Sequence, residues 1–364
     1  MKRFNESERK IYLNYRKDLE KMPSYDGTEK DYRIKVNANE CTLNLPPLVE
    51  ERVLNRLGYI SFNRYPNEEY DLLVEQIAKN FSVSKAQVLL GGGSSEIIEK
   101  VFHAFGGEGK KIVYPRPSFS MYKIYARAAE AQAFPFDLDE KFDLDVEKFI
   151  KKIHEVDADL AVVCNPNNPT GNALTVAQVE EIAKNIDCAL LLDEAYVEFY
   201  GHSAFNLIKQ YPNLIVARTF SKAYGMAAAR VGYMLASEDV TKMINKTFMP
   251  YHMNTLSLAA ADIVYQMRDE FVPRIQMTVA ERKRMFERLK TLKGVEVFPS
   301  QTNFILIRLE KSAELNEYLE SLDIGVRYFS PSAVELKNCL RISMGTRMEN
   351  DEVFSAIKNF VEGK

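Results

Sequence analysis

A lysine and an arginine stand eight residues apart in TFSKAYGMAAARVG, residues 219 to 232, beside the hydroxyls of Thr219 and Ser221. The residues between Lys222 and Arg230 are mostly too small to fill a core, which lets the chain pass close to another group. Lys222 follows the β-branched run NLIVAR, and an amine at such a strand end is either solvated or available as a nucleophile. Three more polar segments follow apolar runs in the same way. GGGSSE after QVLL offers the N–H groups of Gly93, Ser94 and Ser95 and the positive end of a helix to an anion, or is simply a glycine turn with serine near the N-cap. CNPNNPTGN after DLAVV, which contains Asn168, reads locally as a rigid turn. DEAYVEF after CALLL puts Asp193 at the end of a buried strand, where an acid needs a cation: an arginine of the protein or a positively charged ligand nitrogen.

The elements that must position these groups alternate. YDLLVEQIAKNF has helical spacing, and QVLLGGGSSEIIEKVFHAF reads as strand, glycine turn and helix. KKIVYPRPSFSMYKIYARAAEA repeats the step, as do DLAVVCNPNN with LTVAQVEEIAKNI, and CALLLDEAY with NLIVART. Short continuous apolar runs suit strands covered on both faces, so residues from about 60 to 250 are expected to form a mostly parallel α/β sheet. A long charged helix around VPRIQMTVAERKRMFERLKTLKG follows, then strands in VEVFPSQTNFILIRL and CLRISMG and a closing helix in NDEVFSAIKNFVEG. These imply a smaller α+β domain. The expected division is residues 1–50 as an arm joining the small domain, 51–262 as the large domain and 263–364 as the small one. Open α/β sheets carry their chemistry beyond the carboxyl ends of the strands, where all four polar segments fall.

Composition excludes several classes. A chain of 364 residues, 46% hydrophobic, can bury a large core, and a net charge of −3 gives no electrostatic case for nucleic acid. The charged N-terminus has no apolar leader pattern and no stretch is long enough to span a bilayer, so a cytoplasmic protein is expected. Four dispersed cysteines and four dispersed histidines argue against a disulfide frame, a zinc site or a Ser/His/Asp triad, and no metal is expected.

Taken together, a loop for a phosphate, a carboxylate for a protonated ring nitrogen, a phenol and an amide for a ring oxygen and a lysine for an aldehyde describe a pyridoxal 5'-phosphate site. The order GGGSSE, NPNNPTG, DEAY, TFSKAYGMAAARVG and LRISMGTRMEN resembles the type I pyridoxal-phosphate aminotransferases, specifically the histidinol-phosphate aminotransferase group, from about Tyr25 to Val361. The resemblance implies the type I fold: a large domain with a mostly parallel seven-stranded sheet flanked by helices, plus a smaller α+β domain. It implies that Lys222 bonds the cofactor aldehyde and, once displaced by the substrate amine, acts as the base. By the same resemblance Asp193 keeps the ring nitrogen protonated, Tyr196 and Asn168 bond the ring oxygen, and Phe119 stacks on the ring. Gly93, Ser94, Ser95, Ser221 and Arg230, with Thr219 as a helper, are implied as phosphate ligands. Tyr65 in NRYPNEEY matches a tyrosine that reaches the phosphate of the neighbouring subunit, which implies a homodimer with shared sites.

For substrates, the resemblance assigns Arg341 in CLRISMG to the α-carboxylate of glutamate or 2-oxoglutarate. It assigns Tyr25 and Arg327 to the phosphate of histidinol phosphate, and Asn39 and Glu40 to a hallmark of the group. That hallmark commonly continues Asn-Glu-Asn-Pro, whereas this chain reads NANECTLNLPP, and FSPSAVELKNC also departs from the commonest forms; PYHMNTLS resembles the group's PYN-type segment. The implied activity is transfer of an amino group from glutamate to imidazole acetol phosphate, giving histidinol phosphate and 2-oxoglutarate, in histidine biosynthesis. The alternatives are a threonine-phosphate decarboxylase of cobalamin synthesis, an aromatic amino-acid aminotransferase and, more distantly, a non-catalytic protein that keeps the fold.

Overall fold

The computed structural model describes residues 30–66 and 68–364, so Tyr25 lies outside the described residues. The first half of the chain contains β1 (Ile34–Lys35), α1 (Pro47–Leu57), α2 (Glu68–Phe81), β2 (Val88–Gly91), α3 (Ser94–Phe105), β3 (Lys111–Arg116), α4 (Met121–Ala128), β4 (Gln132–Asp137), α5 (Val146–Val156), β5 (Leu160–Cys164) and α6 (Val176–Lys184). There follow β6 (Ala189–Asp193), α7 (Val197–Tyr200), β7 (Leu214–Thr219), β8 (Gly232–Leu235), α8 (Glu238–Asn245), α9 (Thr255–Gln266) and α10 (Val272–Leu289). The chain closes with β9 (Glu296–Val297), β10 (Phe304–Arg308), α11 (Ser312–Ser321), β11 (Ile324–Gly325), β12 (Arg327–Tyr328), β13 (Cys339–Ser343) and α12 (Arg347–Glu362).

The expected large sheet has seven strands in the order β2-β8-β7-β6-β5-β3-β4, with β8 alone antiparallel to its neighbours. Every residue of β5, β6 and β7 is buried, because both faces are covered. Alternate side chains part accordingly: Leu190 and Leu192 join Phe149 of α5 and Ile182 of α6, while Leu191 joins Ile97 and Phe102 of α3 on the other face. Burying each such side chain contributes roughly 1.5–3 kcal/mol, which is why these runs read as unbroken apolar segments. Sequence reading assigns no strand to QAFPFD, which forms β4. It is a half-exposed edge strand, and its Pro135 is tolerated there because an edge leaves some N–H positions unpaired.

A second sheet, β12-β13-β10-β9, is antiparallel, and β1 pairs with β11 beside it. Ile34 and Val36 from the start of the described chain enter the same core as Met285, Ile305, Ile307, Leu340 and Ile342. Position 262 falls inside α9, whose Leu258, Ala261 and Val264 belong to the core of the large sheet.

Register carries the candidate groups to one edge. Cys164 pairs with Asp193, Asp193 with Ala217, and Thr219 with Gly232, so the loops after β5, β6 and β7 emerge side by side. β3 lies between β4 and β5, so the strand order reverses there and the loop bearing Phe119 opens onto the same crevice. The starts of α5, α6, α8, α9 and α12 are closed by side chains, with Thr175 and Gln178 forming a capping box on α6 and Thr346 and Glu349 one on α12. The start of α3 is left open by Gly93, which has no side chain to cap it. None of the described helices is long and apolar enough to cross a membrane.

Candidate active site

The open end of α3 meets Arg230. Gly93 has φ +84, an angle that favours glycine, and a Cβ there would lie 2.6 Å from Arg230 Nη2, so any side chain would have to displace that guanidinium. Arg230 Nη2 donates to the carbonyl of Gly92 at 3.4 Å, and Nη1 donates to Ala227 O at 3.0 Å and Ser221 Oγ at 3.3 Å. Thr219 Oγ1 donates to Ser221 Oγ at 3.0 Å and accepts the Ser221 N–H at 3.1 Å. Gly232 is equally constrained, since a Cβ would lie 2.4 Å from Ser94 N. Helix N–H groups, hydroxyls and a guanidinium thus converge as the donors that a phosphate dianion requires. Tyr125 of α4 lies beside Ser95 in the same corner, and burial pushes its phenol up to about 12, opposed by Ser95.

Asp193 ends β6 at 3% exposure. Its Oδ2 accepts from the Tyr122 hydroxyl at 2.8 Å and its Oδ1 from the Ala195 N–H at 3.1 Å. Burial lifts its carboxyl to about 6, against the pull of those two hydrogen bonds. The arginine that sequence reading allowed as its partner belongs instead to the next residue. Arg218 donates from Nε at 3.0 Å and from Nη2 at 2.8 Å to Glu194 Oε2, with Ser203 closing the cluster and Phe81 under the guanidinium at 5.0 Å. Among the described residues no ion pair engages Asp193, whose two oxygens are met by Tyr122 and Ala195.

Lys222 is half-buried, and its Nζ donates to Ala38 O at 3.1 Å. Tyr196 is 3% exposed and its hydroxyl accepts from Asn39 Nδ2 at 2.9 Å; burial raises its pKa, opposed by Arg341 and Asn39. Asn168 Oδ1 accepts from Arg341 Nη1 at 2.6 Å, and Arg341 Nη2 donates to Asn37 O at 2.6 Å. Asn39 is buried with φ 56, exchanges hydrogen bonds with Ser343 Oγ, and its carbonyl accepts from Asn303 Nδ2 at 3.0 Å. One polar chain therefore links the segment 37–39, Tyr196, Asn168 and Arg341. Lys222, Glu40 and Asn303 share a small cavity of about 70 Å³ walled by Cys41 and Met344.

Phe119 is half-buried and meets Tyr122 edge-on at 5.5 Å. Glu40 turns to Lys35, Nζ to Oε2 at 2.8 Å. Tyr65 is 74% exposed and stacks on Tyr251 with ring centroids 4.5 Å apart. Arg327 is exposed on β12, directly opposite Arg341 on β13. Sequence reading missed Tyr122 and Tyr125. Their i, i+3 spacing in SFSMYKIY, just after Phe119, was the available signal, since it sets both phenols on one face of α4. It also missed the Glu194–Arg218 pair, whose members are distant in sequence and join only through adjacent strands. Among the described residues, no cluster of His, Cys, Asp and Glu is arranged to hold a metal.

The family model for aminotransferase class I and II matches residues 33–357. A histidinol-phosphate aminotransferase of Clostridium novyi is 35% identical, covering 94% of this chain and 96% of that one. The Sinorhizobium meliloti histidinol-phosphate aminotransferase, solved with pyridoxal 5'-phosphate, superposes with a TM-score of 0.86 at 21% identity, covering 97% of this chain and 99% of that one. An L-threonine-O-3-phosphate decarboxylase of Porphyromonas gingivalis is 26% identical with a TM-score of 0.79, covering 90% and 99%. With a match over nearly its whole length, and with a lysine, a buried aspartate and an open helix end on one sheet edge, this chain belongs to the aminotransferase class I and II family.

Proposed function

We propose that this chain is a pyridoxal 5'-phosphate-dependent aminotransferase that exchanges an amino group between glutamate and imidazole acetol phosphate, giving histidinol phosphate and 2-oxoglutarate. Asp193 carries the reading: a buried carboxylate that no cation among the described residues neutralises, on the sheet edge that also bears Lys222 and the open end of α3. The residues fit the cofactor. Gly93, Ser94, Ser95, Ser221, Thr219 and Arg230 would hold its phosphate, Asp193 its ring nitrogen, Tyr196 and Asn168 its ring oxygen, and Phe119 its face. Bound there, the group supplies an aldehyde for the substrate amine and a protonated ring that withdraws electrons from the α-carbon.

The chain's own groups do the rest. Lys222 takes the proton from the substrate α-carbon and returns it, a base whose reach is set by the strand end that carries it. Asp193, ionised, favours a proton on the ring nitrogen; neutral, it would not. Arg341, already oriented by Asn168 and Asn37, offers the fork that a carboxylate accepts. Arg327 opposite it adds a second cation on the same face of the sheet, and like charges so opposed repel unless an anion lies between them. A substrate phosphate answers that need, and Tyr25 would complete its site. Asn39 and Glu40 would line the substrate entrance.

The test is the absorbance of the cofactor-loaded protein after adding L-histidinol phosphate, with phosphothreonine and phenylalanine in parallel. Conversion to the pyridoxamine form by histidinol phosphate, reversed by 2-oxoglutarate, is the expected result. Release of carbon dioxide from phosphothreonine without that conversion would favour the decarboxylase reading, which the Porphyromonas gingivalis relative keeps open.

A homodimer with shared sites belongs to the same proposal. It is supported by exposed Tyr59, Phe62, Tyr65, Met249 and Tyr251, an unusual set of large apolar side chains for a free surface. Sedimentation at low concentration tests it. A cytoplasmic location is proposed in line with four free cysteines. For the domains, we retain the division near 50 and 262 with α9 as the last helix of the large domain.

A further inference from the structure

Asp193 has a partner that the amino-transfer reading leaves without a task. Tyr122 is wholly buried, and its hydroxyl donates to Asp193 Oδ2 at 2.8 Å while the Ala195 N–H occupies Oδ1 at 3.1 Å. An ionised carboxylate only accepts, so the phenolic proton lies toward Asp193. The phenol has little freedom to turn away. Its ring is packed among Phe102, Tyr114 and Phe119, with centroids at 6.2, 6.1 and 5.5 Å, and Phe119 meets it at 86°. One side chain thus touches both the carboxylate proposed for the ring nitrogen and the aromatic proposed for the ring face.

We propose that Tyr122 is the positioning residue for the cofactor's ring nitrogen: its hydroxyl holds the Asp193 carboxylate ionised and in one orientation, and its ring braces Phe119. The inference rests on the pyridoxal phosphate reading of this site. Electrostatics act in the same direction. Burial drives Asp193 up to about 6 and the neighbouring Glu194 adds to that, whereas the Tyr122 hydroxyl and the Ala195 N–H oppose it. The other titratable groups facing Asp193 are Cys164 at the end of β5, Tyr125 on α4 and Tyr196 after β6. Burial raises all three, which keeps them neutral while Asp193 titrates. Without the Tyr122 hydroxyl, Asp193 therefore takes up its proton at a higher pH.

The experiment is equilibrium binding to the full-length, cofactor-free protein of pyridoxal 5'-phosphate and of its deaza analogue, which lacks the ring nitrogen, across a pH series. The wild type is expected to prefer pyridoxal 5'-phosphate, with the preference declining on the acid side as Asp193 protonates. Tyr122→Phe is expected to lose about tenfold of that preference, the worth of one hydrogen bond to a charged group, and to move the acid limb to higher pH. Tyr114→Phe removes a hydroxyl from the same aromatic cluster without touching Asp193, and is expected to leave both readouts unchanged. 3-Fluorotyrosine at position 122, a stronger proton donor of nearly the same shape, is expected to move the acid limb downward, which keeps the test open should the phenylalanine variant not fold. A wild-type preference and acid limb in both altered proteins would overturn the role given to Tyr122. A wild type that binds neither compound would instead overturn the cofactor reading, and this inference with it.

Discussion

Replacing Asp193 by asparagine is expected to stabilise the cofactor-free protein while weakening cofactor binding. The carboxyl is raised from its ordinary 3.8 to about 6, chiefly by burial. Between those two values the native state holds a proton that the unfolded chain has released, so stability falls as pH rises through the interval and the loss is complete above about 6. At about 1.36 kcal/mol per pH unit, the interval from 3.8 to about 6 amounts to about 3 kcal/mol. Asparagine does not ionise, and its amide oxygen can still accept from Tyr122 or Ala195. Urea denaturation of the two cofactor-free proteins, from about pH 4 to about pH 8, reads the difference directly. The stability of Asp193→Asn relative to wild type should climb across the interval and then level off. Burial also raises Glu198, to about 7, but it is present in both proteins and drops out of the difference. Addition of pyridoxal 5'-phosphate should reverse the order, since a ligand that binds the native state adds stability by mass action. A difference that stays flat with pH would refute the argument that burial of this carboxylate opposes folding.

Three further outcomes are expected. Arg218→Met should destabilise the protein by about 3–5 kcal/mol, because it strands the fully buried Glu194, and pairing it with Glu194→Gln should recover much of that in a double-mutant cycle of denaturation midpoints. Gly93→Ala should cost about 1 kcal/mol or more from its backbone angle and lower pyridoxal phosphate affinity, measured by equilibrium titration, because its Cβ meets Arg230 at 2.6 Å. Lys222→Ala should lower amino transfer by at least about 10²–10⁴-fold, read in single-turnover absorbance, with the fold intact by circular dichroism.

Much of this protein was legible in one dimension. Unbroken apolar runs such as CALLL and NLIVAR mark strands buried on both faces, and the polar residues that end them mark the carboxyl edge, because a chain leaving a covered sheet reaches its crevice at that point. Lys222, Asp193 and Gly93 stood out for that reason. A strand weakened by proline at an edge, β4, did not, since its half-exposed residues lack the pattern of a covered strand. Partnerships were decided only by tertiary structure. Sequence left Asp193 with either an arginine or a ligand; the register of β6 on β7 gives Arg218 to Glu194 and leaves Asp193 to Tyr122. Nor could the sequence bring Asn39, from the start of the described chain, to Tyr196 and Ser343, or set Arg327 opposite Arg341. Local pattern records whether a residue is buried, because burial repeats with the period of its own element. Which residue it meets depends on strand order and helix packing, and those are properties of the whole chain.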